Sequence, residues 1–346
     1  MLVVLHHAMN MVEEQAGIGS SLIASTFRNN DFGAGGVDLF FVISGFVMSA
    51  SLDRTASSEG VGAFIRRRFL RIIPLFWIMA CMFVDLKRTQ GEGPTLASVV
   101  NTVCILPIFD LGRYDLPILS VGWTLAFEFV FYGIVAASLA LPPSKRQACV
   151  VGTLATLALL GVFVRPGNNA AAIAINPILL EFLFGVGVYR LAKYHISWHL
   201  SSFVLATGLL ALAWSAFGSP GFNMDPWVLI AGETSLGRVA SWGIPWALIV
   251  FGCTKLPNKK NILTGLGDAS YSIYLSHMII LTMISIQWNT YYHIPADIIL
   301  VISIPIAIGS GVLTFFFVEK PLLRILSKLS VMANQIFAVR PASPCS

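Results

Sequence analysis

The sequence predicts an all-α protein, a polytopic integral membrane helical bundle of about ten transmembrane helices. The first observation is the composition: 56% of the 346 residues are hydrophobic and only 11% are charged, whereas soluble domains carry about 25% charged residues. The second is a mean hydropathy of +0.78. Because so few charges cannot cover a water-facing surface, most of the surface must face lipid.

The third observation is a series of apolar runs of roughly the 20 residues that a bilayer-spanning helix needs. The first run, around 1–12, is shorter and is predicted as a truncated crossing. The other nine predicted crossings are 35–52, 70–86, 121–141, 148–164, 171–190, 200–217, 238–253, 270–288 and 297–319. The stretch 95–109 is short and flanked by prolines, which predicts a re-entrant or interfacial segment. One transmembrane domain is predicted over 1–329, followed by a cytoplasmic tail over 330–346.

The positions of lysine and arginine predict the orientation. If the N-terminus is cytoplasmic, the predicted inner loops hold 16 of the 22 basic residues, and Arg238 is among those in outer loops. This excess on the inside places both termini in the cytoplasm. The net charge of +5 is typical of a protein beside anionic lipid, and no nucleic-acid partner is expected. Because the five cysteines form no CxxC pair, neither a metal site nor a disulfide framework is expected.

Two adjacent histidines, His6 and His7, lie in the first apolar run. Ionisable groups at membrane depth cost about 2.5–3.5 kcal/mol each on insertion scales, so they are usually buried in the bundle and functional. Neighbouring helical positions point about 100° apart, which predicts that only one of the two faces a given cavity. An interfacial histidine near the outer end of a helix is the alternative, and the residues alone leave both open.

Two carboxylates also fall within apolar crossings. Thr124, Glu128 and Tyr132 are spaced i, i+4, i+8 and form one polar stripe on a helix. A structural carboxylate that joins helices is the alternative for Glu128, but function is favoured because nothing on its own helix neutralises it. Asp38 lies in the first turn of a helix, where a negative charge suits the dipole, and this structural role is favoured over direct catalysis.

Two further motifs lie toward the predicted cytoplasmic side. In FIRRRFLRIIPLFW, Arg67, Arg68 and Arg71 can present guanidinium groups on one helical face to one anion, and arginine suits phosphate. The alternative is an ordinary positive-inside anchor. In GDASYSIYLSH, Tyr274 and His277 are spaced i, i+3 on a face that also carries hydroxyl groups, for which a polar seam between helices is the alternative.

The predicted topology places these groups in two regions. His7, Asp38 and Glu128 fall at comparable depth in the outer half of the membrane, whereas the arginines lie at the opposite face. This arrangement indicates a phosphate-bearing donor held from the cytoplasm, with its reactive end reaching about half of the ~30 Å hydrocarbon core. A base there would meet an acceptor that enters from outside.

Six segments together resemble the membrane acyltransferase-3 family, whose members O-acylate surface polysaccharides. The segments are VVLHHA, GVDLFFVISGF, RRFLRIIPLFW, GWTLAFEFVFY, GDASYSIYLSH and VEKP, in the order of the family pattern. They extend from residue 3 to residue 321, and WTLAFE is most similar to the exopolysaccharide acetyl- and succinyltransferase branch. The match aligns the catalytic histidine of the family with His7 and leaves His6 variable.

This resemblance implies transfer of an acyl group, acetyl or succinyl, from cytoplasmic acyl-CoA to a hydroxyl of a polysaccharide or its lipid-linked precursor in the bacterial inner membrane. It implies that His7 is the general base or a transient acyl carrier, that Glu128 orients it, and that Asp38 supports the network. Implied donor-binding residues are Arg67, Arg68, Arg71, Tyr271, Tyr274 and His277. Acyl-CoA is then a substrate, and no permanently bound cofactor is expected.

Two other functions remain open at this point: a proton-coupled transporter, and a non-catalytic partner in a polysaccharide assembly complex. The family pattern also has an arginine eleven residues before the catalytic histidine, which would precede Met1. Either the start is assigned too late or this part is lost, and the upstream DNA would distinguish the two. Acceptor choice is expected in the outer loops 13–34, 87–120 and 218–237.

Overall fold

The fold is helical, as the sequence predicts. The computed structural model describes residues 1–27, 32–54, 60–105, 116–217, 226–256, 261–291 and 294–338, and within these ranges it contains helices and no strand. The α-helices are α1 (Leu2–Ala16), α2 (Leu22–Phe27), α3 (Gly36–Arg54), α4 (Val61–Thr89), α5 (Leu96–Cys104), α6 (Trp123–Ser138), α7 (Pro143–Phe163), α8 (Asn169–Ala174), α9 (Leu179–Ala192), α10 (Trp198–Phe217), α11 (Pro226–Ile230), α12 (Ser235–Arg238), α13 (Ile244–Cys253), α14 (Ile262–Asp268), α15 (Ser270–Tyr291), α16 (Ala296–Thr314) and α17 (Lys320–Ala338).

Among the described residues, eight helical segments are long and apolar enough to cross a membrane. They are Gly33–Arg54, Val61–Thr89, Ser120–Ser138, Pro143–Phe163, Asn169–Ala192, Trp198–Phe217, Ser235–Cys253 and Ala296–Leu329. The bent pair α14 and α15, with 73° between them, makes a ninth when it is counted as one span. These nine coincide with the nine predicted full-length crossings, and α1, with 15 residues, is the short first helix. The chain is therefore a multi-pass membrane protein.

Two other predictions concern shorter segments. The predicted interfacial stretch 95–109 contains α5, whose Leu96 and Val103 are exposed, and 106–109 lie outside the described residues. Helix α17 continues beyond the predicted boundary at 329, and 339–346 lie outside the described residues. The interfacial placement and the domain boundary both stay predictions.

Helices α3 and α9 cross closely, and two glycines make this crossing possible. A Cβ atom on Gly45 would lie 2.1 Å from the carbonyl oxygen of Phe182, and one on Gly185 would lie 2.0 Å from that of Val42. Small residues let helix backbones approach closely in membranes. This close packing holds Ser44 of α3 against Glu128 of α6.

Helix α15 connects two parts of the bundle. On one side α1 packs against α15 and α16, and on the other α15 packs against α4. Helix α6 packs mainly against α4 and α7. As a result, α1 and α6 approach α15 from different directions.

Candidate active site

A cavity of about 780 Å³ lies at one end of the bundle. Its walls come from α1, the start of α3, the end of α4, the turn before α6 and the outer half of α15. The polar side chains that line it include His7, Asn10, Gln90, Glu92, Arg238 and Tyr274. Donors and acceptors of both charge signs therefore surround one water-accessible space.

The mouth of this cavity lies opposite the arginine cluster. Lys87, which lines the cavity, follows Arg67 by about 20 residues on the continuous helix α4, which corresponds to about 30 Å. The lining includes residues from all three outer loops in which acceptor choice is expected, for example Glu14, Ser120 and Pro226. The two ends of the site thus lie near opposite membrane faces.

His7 lies deep in the cavity. Its ring centroid is 5.2 Å from that of His6 and 5.2 Å from that of His277. His6 also lines the cavity, and its Nε2 lies 3.2 Å from Nδ2 of Asn10. The prediction that only one of the two histidines faces a given cavity is therefore wrong, because the cavity covers a broad sector of α1.

Tyr274 joins α15 to the start of α6 beside this pair. Its hydroxyl donates to the Val121 carbonyl at 2.8 Å and lies 2.8 Å from the Thr124 hydroxyl. The centroids of Tyr274 and His277 are 6.0 Å apart. Two of the three α15 residues implied in donor binding are therefore near His7. Tyr274 lines the cavity itself, and His277 lies against His7.

Glu128 lies one helical turn beyond Thr124, and it is 4% exposed. It accepts hydrogen bonds from Ser44, at 3.2 Å, and from Tyr132. The predicted polar stripe on α6 is confirmed. Among the described residues no contact joins Glu128 to His7, so the structure does not bring these two together and the predicted orienting role of Glu128 stays a prediction.

The arginines share the region of Glu128. The Arg68 guanidinium lies 5.6 Å from the ring centroids of both Phe64 and Tyr132, and Arg71 interacts electrostatically with Glu128. Within the described part of the chain neither Arg68 nor Arg71 forms an ion pair with a carboxylate. Arg67 is exposed on the same helix. These cations are suited to binding an anion that comes from outside the protein.

Tyr271 belongs to this inner region and not to the cavity. Its hydroxyl donates to the carbonyl of Ile72 at 2.8 Å, which ties α15 to the arginine-bearing part of α4. The next residue, Ser272, donates to Glu319. The motifs GDASYSIYLSH and VEKP therefore meet at the inner end of α4.

Asp38 has a partner that the sequence analysis missed. Nε and Nη2 of Arg238 lie 2.8 and 2.7 Å from the two carboxylate oxygens, and Nη2 also donates to the Ala34 carbonyl at 3.0 Å. Arg238 was placed in an outer loop, but it is 2% exposed. A signal existed, because a carboxylate at membrane depth needs a cation and Arg238 directly precedes an apolar run.

A short π-helical turn, Val239–Gly243, follows Arg238, and such turns occur frequently at functional sites. Glu181 of α9, fully buried, interacts electrostatically with Asp38 and Arg238. Asp38 lies in the first turn of α3, which confirms its predicted position at the start of a helix. Its side chain contacts Arg238, and through Arg238 it reaches the cavity.

Fold and site together define a multi-pass membrane protein with a histidine in a cavity at one end of the bundle and an arginine cluster at the other end. The family model described as "Acyltransferase domain" matches residues 1–318. The chain therefore belongs to the membrane acyltransferase-3 family, and it is a membrane-bound acyltransferase.

Several curated proteins are similar to this chain. "Exopolysaccharide production protein ExoZ" of Rhizobium meliloti is 28% identical over 302 residues, which cover 84% of this chain and 90% of that protein. "Nodulation protein 10" of Rhizobium leguminosarum bv. viciae is 29% identical, covering 83% and 81%. "Acyltransferase MdmB" of Streptomyces mycarofaciens is 22% identical, covering 95% and 90%. No solved structure matches the chain.

Proposed function

We propose that this acyltransferase transfers an acyl group, acetyl or succinyl, from cytoplasmic acyl-CoA to a hydroxyl of an exported polysaccharide or its lipid-linked precursor. The observation that carries the proposal is His7 in a polar cavity that opens opposite the arginine cluster. The name of the Rhizobium meliloti relative supports an exopolysaccharide acceptor. The positive-inside distribution supports a location in the bacterial inner membrane with both termini cytoplasmic.

The arginines form the donor side in this proposal. Guanidinium groups bind phosphates through paired hydrogen bonds, and Arg68 and Arg71 have no carboxylate partner within 4 Å in the described residues. From Tyr271, beside Ile72, to His277, beside His7, α15 rises about 9 Å. The acyl thioester would cross this distance while the phosphates stay at the arginines.

Donor binding must also open a path, because the lining of the cavity does not include the arginines. The side chains between the two regions are Thr124 and Tyr274, which are joined by a hydrogen bond. In the proposal, this contact opens when the acyl arm enters. Acyl-CoA is a substrate here, and no resident cofactor is assigned.

His7 supplies the base. A hydroxyl is a weak nucleophile until its proton is removed, and a neutral imidazole suits this task near neutral pH. The hydroxyl oxygen then attacks the thioester carbon, the C–O bond forms, the C–S bond breaks, and the proton goes to the departing thiolate. The cavity mouth, with Asn10, Gln90 and Glu92, offers the hydrogen bonds that a saccharide needs.

The test uses membranes that contain the protein, labelled acetyl-CoA or succinyl-CoA, and the polysaccharide of the producing cell. General acid–base catalysis contributes typically 10²–10⁴-fold, so His7→Ala should lower acyl transfer by at least about 100-fold. His199→Ala is the control, because His199 is exposed and lies on α10. Wild-type turnover in His7→Ala would refute the proposal.

A further inference from the structure

We propose that His277 is a positioning residue that accepts a hydrogen bond from the ring of His7 and so holds this base in its working tautomer. The inference rests on the proposed function. It differs from the donor-channel role that the sequence implied for His277. Three features of the described residues carry it: the fixed tautomer of His277, its free ring nitrogen, and the lack of a carboxylate beside His7.

The tautomer of His277 is fixed by its backbone contact. Nδ1 lies 3.1 Å from the carbonyl oxygen of Ile273, one turn earlier on α15. Because a carbonyl oxygen can only accept, Nδ1 carries the proton and Nε2 carries the lone pair. The side chain is fully buried, so water does not compete for that lone pair.

The ring that carries the free nitrogen lies beside His7. Nε2 of His277 has no hydrogen-bond partner among the described residues, although unpaired buried polar atoms are costly. The ring centroids of His7 and His277 are 5.2 Å apart. At this separation two imidazoles reach hydrogen-bonding distance when a nitrogen of each turns toward the other, and catalytic hydrogen bonds are often long before substrate binds.

The two buried carboxylates that the sequence analysis singled out are not available for this role. Asp38 is held in a bidentate pair by Arg238, and Glu128 accepts from Ser44 and Tyr132. Within the described part of the chain, the ring contacts of His7 are with His6 and His277. Since Nε2 of His6 already lies against Asn10, His277 is the better-placed acceptor.

The chemistry requires such an acceptor. One nitrogen of His7 takes the proton of the acceptor hydroxyl, and the other, which bears a hydrogen, donates to Nε2 of His277. The positive charge that forms on His7 is then shared with a second imidazole until the proton passes to the thiolate. His277 gains and loses no atom in the cycle, and it does not touch the substrate.

Two conservative variants separate this role from the others. The amide of Gln can place an oxygen near the position of Nε2, whereas the amide of Asn reaches only the position of Nδ1. We therefore expect His277→Asn to lower kcat by roughly 10- to 100-fold, and His277→Gln to retain most of it. The KM for acyl-CoA should stay unchanged in both.

The opposite pattern would refute the inference. If the role of His277 is only the structural hydrogen bond from Nδ1 to the Ile273 carbonyl, then His277→Asn should be active and His277→Gln should be impaired. If it lines the donor channel, the KM for acyl-CoA should rise while kcat is kept. Size-exclusion profiles and acyl-CoA binding by calorimetry establish that each variant is folded.

A double variant keeps the two proposals distinguishable. If His277 acts through His7, then His277→Asn should have no further effect in a His7→Ala background, because the two effects are coupled. A further tenfold loss there would refute the positioning role and leave the proposed function intact. An active His7→Ala single variant would refute the proposed function itself.

Discussion

Single residues in this protein show how a membrane enzyme manages buried charge. Asp38 and Arg238 are 0% and 2% exposed, and they neutralise each other through two hydrogen bonds. Removing one partner of a buried ion pair leaves an uncompensated charge. The resulting loss of folding free energy is larger than the net stabilisation that the intact pair contributes. Arg238 thereby contributes to the cavity wall and to the junction between α3 and α12.

The first prediction concerns this pair. Arg238→Ala should destabilise the protein by about 3–5 kcal/mol, because Asp38 is left buried without a cation. Thermal unfolding in detergent should show a clear decrease in melting temperature. Arg88→Ala is the matched control, since Arg88 and Asp85 form an exposed pair at 3.8 Å, and it should leave the melting temperature nearly unchanged. Equal melting temperatures of Arg238→Ala and wild type would contradict the prediction.

The second prediction concerns the donor. Arg71→Ala should raise the KM for acyl-CoA by roughly 10- to 100-fold, because a hydrogen bond to a charged group contributes about 1.5–3 kcal/mol. Steady-state kinetics with acyl-CoA as the varied substrate measure this change. Arg54→Ala serves as the control, because Arg54 is exposed at the C-terminal end of α3, where it donates to the Ala50 carbonyl. An equal effect of both substitutions would point to a general charge effect and not to a donor site.

Individual residues also mark the limit of sequence reasoning. The stripe of Thr124, Glu128 and Tyr132 was predictable because helical spacing is periodic. Arg238 was missed because an arginine at the start of an apolar run resembles a loop residue. Its burial depends on Asp38, which lies 200 positions away in the sequence. A local sequence pattern cannot predict a partner at that separation.

At the scale of helices, the α3–α9 crossing determines the position of Ser44, which donates to Glu128. The third prediction follows from its glycines. Gly185→Ala should destabilise the fold by about 1–3 kcal/mol, because the new Cβ would lie 2.0 Å from the Val42 carbonyl oxygen and the helices must separate.

The control for this substitution lies on the same helix. A Cβ on Gly187 meets nothing within 4 Å, and Ala is the better helix former by about 1 kcal/mol. Gly187→Ala should therefore leave the melting temperature unchanged or raise it slightly. If both substitutions shift the melting temperature in the same direction and by the same amount, the close crossing is not the cause.

Helix boundaries were largely predictable, and helix neighbours were not. Nine crossings followed from the length of apolar runs. The expectation that Glu128 meets His7 rested on equal depth in the membrane. Depth does not decide contact, because α1 packs against α15 and α16 whereas α6 packs mainly against α4 and α7.

At the scale of the whole molecule, the fourth prediction concerns which side of the membrane each end of the helical bundle faces. Gln90 lines the cavity mouth, and Lys145 lies near the start of α7, on the predicted cytoplasmic face. In a variant with its native cysteines replaced by serine, Gln90→Cys should react with a membrane-impermeant maleimide added to spheroplasts. Lys145→Cys should react only after the membrane is permeabilised. The reverse pattern would invert the orientation and place the arginine cluster on the outside.

The hydrogen bond between Thr124 and Tyr274 has a consequence for the cell as well as for the reaction. The water-accessible cavity reaches Tyr274 from one side. The neighbouring residues Thr124 and His277 are 1% and 0% exposed. In the proposed reaction, these packed side chains close the route between the cavity and the arginine cluster, and they keep the membrane potential from discharging through the enzyme. If acyl-CoA is the donor as proposed, each turnover must separate these side chains only as far as the acyl arm fills the gap, because protons would otherwise leak along the same route.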